Sequence, residues 1–408
     1  MAILNDNNKK DKINVGFFID SFFPMIDGVI NVVDNLAKLL VDNCNVTVFT
    51  IKANKGKIDP LPHPYKVIKT SSIPIFFLDY NLPLPVIDFK FKKQLKNSNL
   101  DIVYFHSPMT IAKLAIKYAK KNNIPILCHL HSQYKQDFYR ATKSKFLIKK
   151  LMSYIMKKYN QSDLAIAVNE FTKELFINDY GLNSPVKVVY NATDMKPLEN
   201  KNKINKLINE KYNLKADEYV FCYVGRINKL KNIDLILNSL VLLKEKDFSN
   251  FKLLIVGNGN DLEYFKTQVK NLNLKENVVF TDSISDRNLL SAIYSRSNLL
   301  LFPSTYDTDG IVKFEAASQS TPCVCVENTG VASSITHLEN GYISKNNAED
   351  FANTIIKAMT NKEQYEKVCK NCFRDLYRTW QNSADEIYNI MLDLINQRRK
   401  NNEKNRIW

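Results

Sequence analysis

The chain has 408 residues, of which 45% are hydrophobic, which is enough for two α/β domains with a buried core each. No run approaches eighteen apolar residues, and the start of the chain lacks an apolar segment of signal-peptide length, so we expect a cytoplasmic protein with no membrane-spanning helix. The seven cysteines are an odd number, and several lie in apolar runs, which is typical of reduced and buried thiols.

The net charge of +15 indicates a polyanionic neighbour, either nucleic acid or an anionic membrane surface. Frequent lysine and asparagine can also follow from an AT-rich genome, so the charge alone does not choose a partner. Cys369 and Cys372 form one Cys-x-x-Cys pair. Because the chain has no second such pair and only five histidines, the spacing argues against a zinc site there.

The first half of the sequence alternates buried strands with helical patterns. A strand at 13–19 leads through a loop into a helical pattern that begins at Gly28. Ligands of doubly wound domains bind above the carboxyl ends of strands, and a glycine there lets a phosphate approach the backbone. The segment 54–88 is rich in lysine and proline without periodicity, and we interpret it as a mobile loop.

Histidines follow two further strands of this half. The strand at 101–105 ends in His106, and the strand at 124–131 ends in His129-Leu130-His131. A histidine near a strand end is most often structural, whereas a His-x-His pair also suggests a metal site. Both strand ends should lie at the ligand-binding edge of the sheet.

A basic amphipathic stretch covers residues 138–159. Two interpretations fit it: a helix on the domain surface with a solvated lysine face, or an interfacial helix that docks on anionic lipid. Its apolar side comprises Phe146, Leu147, Leu151, Tyr154, Ile155 and Tyr159, and its charges are Lys143, Lys145, Lys149, Lys150, Lys157 and Lys158.

In the second half, a strand at 219–224 ends in Gly225 and Arg226, with Lys231 five positions after the arginine. Fixed cations at a strand end can neutralise the charge that grows on a departing diphosphate, although a solvated basic loop is the default for such residues alone. Another strand at 253–256 ends in Gly257-Asn258-Gly259. This is no dinucleotide fingerprint, because the third glycine and the ribose acid are missing.

The stretch 303–326 predicts a turn, a helix and a following strand. Asp307 and Glu315 bracket the turn, and the backbone N–H groups of Asp309, Gly310 and Ile311 should point above the strand ends. Taken alone, the first acid could be only a helix cap and the second only a solvated helix residue.

Asp307-x7-Glu315, with alanine after it, PS upstream and TPCV downstream, resembles the E-x7-E region of retaining family 4 glycosyltransferases of the GT-B fold. GR-x4-K at 225–231 matches a second motif of that family, and the segments at 164–172 and 186–194 resemble its AVSEFxK and PNGxD stretches. Asp307 replaces the usual glutamate, and Asp309 stands where an aromatic residue is common. These departures concern the identity of the sugar more than nucleotide binding.

The resemblance implies an α/β protein of GT-B fold, with two Rossmann-like doubly wound domains facing across a cleft. It places the acceptor side in 1–193 and the nucleotide-sugar side in 194–380, and predicts that the helix 381–408 crosses back to the first domain. The implied activity is retaining hexosyl transfer from a nucleotide-sugar, UDP-linked in our interpretation, to a glycan or glycolipid acceptor, without a metal or cofactor.

The resemblance also implies roles for single residues. Arg226 and Lys231 would neutralise the diphosphate, Asp307 and His131 would contact the donor sugar, and Glu315 would bind the ribose. No residue is predicted as a metal ligand, and His129 has no assigned role. Further donor-binding positions are Gly28, Gly225, Gly257, Asp309, Gly310 and Ile311.

Two other functions share part of this pattern. A nucleotide-sugar 2-epimerase uses the same scaffold but needs no acceptor. A basic nucleic-acid-binding protein would also fit the charge, but the acidic pair Asp307 and Glu315 argues against it. We therefore expect no nucleic acid partner, and an anionic membrane surface as the candidate polyanion, with the protein peripheral on the inner face of the membrane.

Overall fold

The structure is a computed structural model, and it describes residues 12–25, 27–52, 62–74 and 81–404. These residues form two compact units. The first unit contains the described residues up to Ala167, Lys173–Val189, and the described residues from Gln381 on. The second unit contains Val168–Thr172 and Tyr190–Trp380. None of the described helices is both long and apolar enough to cross a membrane.

The first unit is built on a parallel sheet of seven strands in the order β3-β2-β1-β6-β7-β8-β9. Its inner strands are continuous apolar runs because both of their faces are covered. The chain order reverses between β1 and β6, which is the switch point of the sheet. The strands of this unit are β1 (Ile13–Phe18), β2 (Cys44–Ile51), β3 (Lys66–Thr70), β4 (Ser72–Pro74), β5 (Asn81–Pro83), β6 (Ile102–Phe105), β7 (Ile126–Leu130), β8 (Leu164–Ala167) and β9 (Val186–Val188).

Helices connect most of these strands and pack on the apolar sheet. Their inward faces join one cluster that includes Phe49, Phe105, Tyr159 and Phe176. The helices are α1 (Gly28–Leu40), α2 (Phe89–Lys96), α3 (Thr110–Asn122), α4 (Tyr134–Thr142), α5 (Lys145–Tyr159) and α6 (Glu170–Glu174). The start of α6 lies in Val168–Thr172, which groups with the second unit, and the helix continues into a π-helical turn at Leu175–Asp179.

Two sequence interpretations are wrong in part. The segment 54–88 is not a loop throughout: β3 pairs with β2 from Thr47↔Lys66 on, and β4 pairs with β5. These are short strands at sheet edges, whose apolar pattern is weak; the parts of the segment at 54–61 and 75–80 lie outside the described residues. The stretch 138–159 is not one helix, because Lys143 adopts a left-handed conformation and Ser144 caps a new helix.

The second unit has a parallel sheet of six strands in the order β12-β11-β10-β13-β14-β15. The switch point lies between β10 and β13. The strands are β10 (Tyr219–Val224), β11 (Phe251–Val256), β12 (Val278–Phe280), β13 (Leu299–Leu301), β14 (Cys323–Val326) and β15 (Tyr342–Ser344), and the helices are α7 (Lys201–Tyr212), α8 (Ile233–Glu245), α9 (Leu262–Asn271), α10 (Arg287–Arg296), α11 (Val312–Ala317), α12 (Ala348–Thr360) and α13 (Lys362–Leu376). Two doubly wound, Rossmann-like units confirm the predicted fold class.

The last helix, α14 (Trp380–Lys404), groups with the first unit from Gln381 on. Arg398 bonds Asp163 at 2.5 Å, and Arg399 bonds Asp101 at 3.2 Å. The sequence placed a domain boundary after residue 193. In the structure, Val168–Thr172 and Tyr190–Trp380 group with the second unit, where the side chains of Asn169 and Asn191 donate hydrogen bonds to Asp309.

Candidate active site

The two strongest sequence motifs meet at the switch point of the second unit. Strands β10 and β13 are neighbours, with Cys222 opposite Leu300. The loop that carries Arg226 and Lys231 therefore emerges beside the loop that carries Asp307. The carboxyl edge of a parallel sheet at its switch point is where such folds bind ligands.

Lys231 and Asp307 contact each other directly. The lysine Nζ lies 2.5 Å from Asp307 Oδ1, and the two side chains are only 15% and 22% exposed. Asp307 Oδ2 is buried and has no hydrogen-bond partner within the described part of the chain. Arg226 is exposed nearby along the same loop, and none of the described carboxylates forms an ion pair with it. This edge therefore concentrates charged groups that can accept a polar ligand.

Glu315 is buried and held by two donors. Arg287 Nη2 lies 2.9 Å from Oε1, and the Tyr294 hydroxyl donates to Oε2 at 2.9 Å. Arg287 also pairs with Asp194. Burial and then the neighbouring Glu315 charge raise the pKa of Tyr294 well above its usual value, so its hydroxyl stays a donor. Glu315 is thus a fixed acceptor rather than a solvated helix residue.

Asp309 has a different environment from Asp307 and Glu315. Its carboxylate accepts hydrogen bonds from Lys313 Nζ at 2.7 Å, from the Asn191 amide at 2.7 Å and from the Asn169 amide at 3.2 Å. Lys313 is fully buried. Three hydrogen-bond donors of the protein occupy the Asp309 carboxylate. The role of Asp309 in binding the nucleotide-sugar therefore remains a prediction, and it concerns the backbone N–H group alone.

Three of the predicted donor-binding glycines have a backbone conformation that favours glycine, and Gly225, with φ +154°, is the first of them. Gly257 has φ +143°, and a Cβ there would lie 1.9 Å from the carbonyl oxygen of Gly225. Gly310 has φ +75°, and its Cβ would lie 2.8 Å from Phe302 Cε1. These contacts allow the loops after β10, β11 and β13 to pack closely. Ile311 follows Gly310 and precedes α11, which begins at Val312.

The first unit carries the remaining predicted residues. Gly28 begins α1 and is exposed, and a Cβ there would meet open space, so protein packing does not demand glycine. His131 is buried directly after β7, with its Nε2 3.0 Å from His106 Nδ1. Burial lowers the pKa of His131 to about 3, so the ring is neutral at physiological pH.

Sequence reasoning missed several residues that shape these sites. Lys313 lies four positions after Asp309 on a helical pattern, and that spacing was available as a signal for an ion pair. Arg287 and Tyr294 lie on α10, far from Glu315 along the chain, and no local pattern connects them. Asn169 and Asn191 lay in recognised segments but had no assigned role.

Comparisons with known proteins agree with this geometry. Residues 26–196 match the family described as Glycosyltransferase Family 4, and residues 205–374 match Glycosyl transferases group 1. An alpha-monoglucosyldiacylglycerol synthase of Streptococcus pneumoniae is 24% identical over 78% of this chain and 71% of its own length. The synthase of the same name from Acholeplasma laidlawii is 23% identical over 96% of this chain and 99% of its own length.

Solved structures support the same fold. The Anabaena protein HepE, crystallised with UDP and glucose, superposes with a TM-score of 0.73 at 18% identity, over 93% of this chain and all of that one. The two family matches follow one another along the chain, and each covers most of one structural unit. With the glycolipid-synthesising relatives and the two Rossmann-like units, they show that this chain belongs to the family 4 glycosyltransferases of the GT-B fold.

Proposed function

We propose that this chain is a retaining, metal-independent hexosyltransferase that uses a UDP-linked sugar and a glycolipid or glycan acceptor. The observation that carries the proposal is the contact of Lys231 with Asp307 at the switch point of the second unit, beside the exposed Arg226. This ion pair connects the GR-x4-K motif, to which we assign the diphosphate, with the Asp307-x7-Glu315 motif, to which we assign the sugar. Glu315, fixed by two donors, supplies the acceptor for ribose hydroxyls.

Charge stabilisation explains the choice of residues. As the bond to the sugar breaks, negative charge grows on the diphosphate, and preorganised cations stabilise it. Arg226 offers a planar fork of donors, and Lys231 offers a compact charge. Phosphate oxygens would compete with Asp307 for the lysine ammonium group. The released carboxylate of Asp307 would then accept hydroxyl groups of the sugar.

Retention follows from how the reaction is arranged. The acceptor oxygen bonds to the anomeric carbon on the face from which the diphosphate leaves, and a phosphate oxygen of the leaving group takes the acceptor proton. No protein base is then required. The names of the two synthases describe an alpha-linked product. UDP-glucose is itself alpha-linked, so an alpha product corresponds to retention.

The same names support a lipid acceptor, and α5 offers a surface for meeting it. Its outer face consists of Phe146, Leu147 and Tyr154 with the exposed residues Lys145, Lys149, Lys150 and Lys157. Phe146 is 68% exposed, and Lys150 Nζ lies 4.5 Å from the centre of its ring. Exposed aromatic groups among lysines are typical of helices that lie in the headgroup region of anionic membranes.

A second surface of the first unit has the same chemistry. Phe89 is 82% exposed at the start of α2, and Val86 and Ile87 are exposed just before it. The helix that follows is rich in lysine. Two basic segments with exposed apolar side chains support the proposal of peripheral attachment to a membrane, which would bring the enzyme to lipid-linked acceptors.

The test is a transfer assay with the full chain, a panel of UDP-hexoses, and diacylglycerol or monoglucosyldiacylglycerol in anionic vesicles. We expect UDP release together with a glycolipid whose anomeric proton coupling in NMR is that of an alpha linkage, unchanged by a chelator. Sugar conversion without acceptor would instead identify an epimerase. Failure of every nucleotide-sugar to react would overturn the proposal.

A further inference from the structure

Three of the five histidines of the chain converge at the carboxyl edge of the first sheet. Strands β6 and β7 are paired in register, with Phe105 opposite Cys128, so His106 follows its strand beside His129. His131 lies two positions after His129, and alternate side chains point to the same face of a strand. The topology therefore brings three imidazole rings together.

The side-chain contacts within this group, which we call the histidine cluster (His106, His129 and His131), are close. One potential ligand atom from each ring lies within 4.8 Å of the others. His106 Nδ1 and His131 Nε2 are 3.0 Å apart. The Nε2 atoms of His106 and His129 are buried, and neither has a hydrogen-bond partner among the described residues.

A buried polar atom without a hydrogen-bond partner destabilises the folded state. A ligand bound to the two Nε2 atoms would remove this cost. A neutral imidazole is the form that binds metals. The Tyr104 hydroxyl lies 2.6 Å from His129 Nδ1. If Nδ1 carries the proton and donates it to the tyrosine oxygen, Nε2 retains its lone pair for a metal.

We propose that His106, His129 and His131 bind one divalent transition-metal ion, with Zn²⁺ as the representative ion. An all-imidazole set suits Zn²⁺, Co²⁺, Ni²⁺ or Cu²⁺, whereas Mg²⁺ and Ca²⁺ require oxygen ligands. Tetrahedral Zn–N bonds of about 2.0–2.1 Å place neighbouring nitrogens roughly 3.3 Å apart. The candidate ligand atoms lie within 4.8 Å of one another, so metal binding requires the rings to move closer together.

Three histidines leave a fourth position of a tetrahedral ion open for water or an anion. Arg226, Lys231 and Glu315 belong to the second unit, whereas the histidine cluster belongs to the first unit and includes His131, which is also predicted to contact the donor sugar. Metal binding is measured without any sugar substrate. A negative result would therefore refute the metal site and leave the proposed transferase activity untouched.

The experiment uses the full chain without an affinity tag, freed of metal by a chelator and then titrated with CoCl₂ or ZnCl₂ alone. We expect one equivalent of either ion to bind, with the visible absorption of four-coordinate Co²⁺ and a rise in melting temperature. MgCl₂ should give neither signal. Absence of stoichiometric Co²⁺ and Zn²⁺ binding would overturn the proposal and leave a hydrogen-bonded histidine cluster.

Variants then assign the site. His129→Gln and His106→Gln should each weaken Zn²⁺ binding at least tenfold, whereas His337→Gln, outside the cluster, should bind as the parent does. Tyr104→Phe removes only the hydroxyl beside His129, and loss of such an outer partner costs about 10–100-fold in affinity. This variant keeps the test decisive if a glutamine disturbs folding. Zn²⁺ affinity equal to that of the parent in both His129→Gln and Tyr104→Phe would place the metal elsewhere.

Discussion

Lys231 and Asp307 illustrate how one contact can serve two states of the site. Without a donor, the two charges compensate each other at 2.5 Å. With a nucleotide-sugar bound, the two side chains would contact different parts of it. Lys231 would contact the diphosphate, and Asp307 would contact the sugar. Since both side chains are largely shielded from water, these interactions are stronger than on an open surface.

Arg226→Ala and Lys231→Ala should each lose most transfer activity while the protein stays folded. Loss of one preorganised charged donor commonly costs 100- to 1000-fold in kcat, or about 3–4 kcal/mol of barrier. Steady-state kinetics with UDP-hexose measures the loss. Lys229→Ala is the matched control, because Lys229 lies in the same turn but has its Nζ over the Tyr264 ring at 4.0 Å. Near parental turnover in both site variants would refute the diphosphate role.

Glu315→Ala should weaken the binding of UDP itself, because a ribose contact exists in the ground state and the transition state alike. Asp307→Ala should lower turnover of the sugar donor and leave UDP affinity little changed. Calorimetry with UDP on both variants separates the two roles. An equal loss of UDP affinity in both would contradict this division.

At the scale of residues, the sequence located the charged motifs but not their partners. Asp307, Asp309 and Glu315 look alike in a short acidic stretch. The structure distinguishes them by the groups that contact each carboxylate. Asp307 contacts Lys231, Asp309 contacts the buried Lys313 and two asparagines, and Glu315 contacts two donors on α10. Those partners come from distant segments, and only the pairing of Asp309 with Lys313 is visible in local spacing.

At the scale of elements, α5 shows why periodicity alone does not assign a face. Ile155 and Tyr159 pack inward as expected, whereas Phe146 and Leu147 are exposed. Lys158 is buried, with its Nζ 3.0 Å from the centre of the Tyr154 ring. Helical spacing marks which residues are neighbours, but burial depends on what the fold places above them. The charged face is therefore smaller than the sequence predicted.

Replacing the five exposed lysines of this region by glutamine should abolish binding to anionic vesicles at low salt. Each well-placed lysine contributes about 1 kcal/mol before screening, and the exposed aromatic groups add apolar contact. Cosedimentation with vesicles of increasing anionic lipid content measures the effect. The residues to change are Lys143, Lys145, Lys149, Lys150 and Lys157.

The matched control removes the same charge from the second unit. It changes the exposed residues Lys196, Lys203, Lys206, Lys211 and Lys215 to glutamine. We expect this variant to bind vesicles almost as the parent does. If both variants lose binding equally, net charge rather than the α5 surface governs attachment. If the parent itself does not bind, the helix is only a solvated surface and a soluble glycan is the better acceptor.

At the scale of the whole molecule, the sequence was most informative where strands are buried on both faces. The strands at 13–19 and 219–224 are continuous apolar runs, and the structure has them as β1 and β10. Edge strands were missed because a strand such as β3 pairs with a neighbour on one side only. Its sequence therefore mixes polar and apolar residues and lacks a continuous apolar run. The alternation of strand and helix patterns indicated α/β units, and the resemblance to the GT-B family implied their doubly wound topology.

Asp20 lies at the switch point of the first unit and connects two elements across it. Its carboxylate accepts from the Ile111 backbone at 3.0 Å and from Ser107 Oγ at 3.0 Å, so it caps α3, which lacks a cap of its own. Burial raises the pKa of Asp20 to about 6, and the hydrogen bonds offset only part of that rise. An unfolded aspartic acid has a pKa of about 4.

The sign of the pH effect follows from these two values. Between about pH 4 and pH 6 the folded chain holds a proton on Asp20 that the unfolded chain has lost. The Asp20 contribution to stability therefore falls as pH rises through that window and is constant above it. About two pKa units correspond to about 3 kcal/mol. Asp20→Asn keeps an oxygen acceptor for α3 but removes the titration.

We therefore expect the stability of Asp20→Asn relative to the parent to increase from pH 4 to pH 6.5 and then to level off. Hydrogen exchange of both proteins at the same pH measures this in peptides from β1 and α3, since intrinsic exchange rates cancel in the comparison. Peptides from β10 serve as the internal control, because Asp20 and β10 belong to different units. A difference that is independent of pH, or one that falls as pH rises, would show that folding does not raise the pKa of Asp20 and that the carboxylate acts only as a cap.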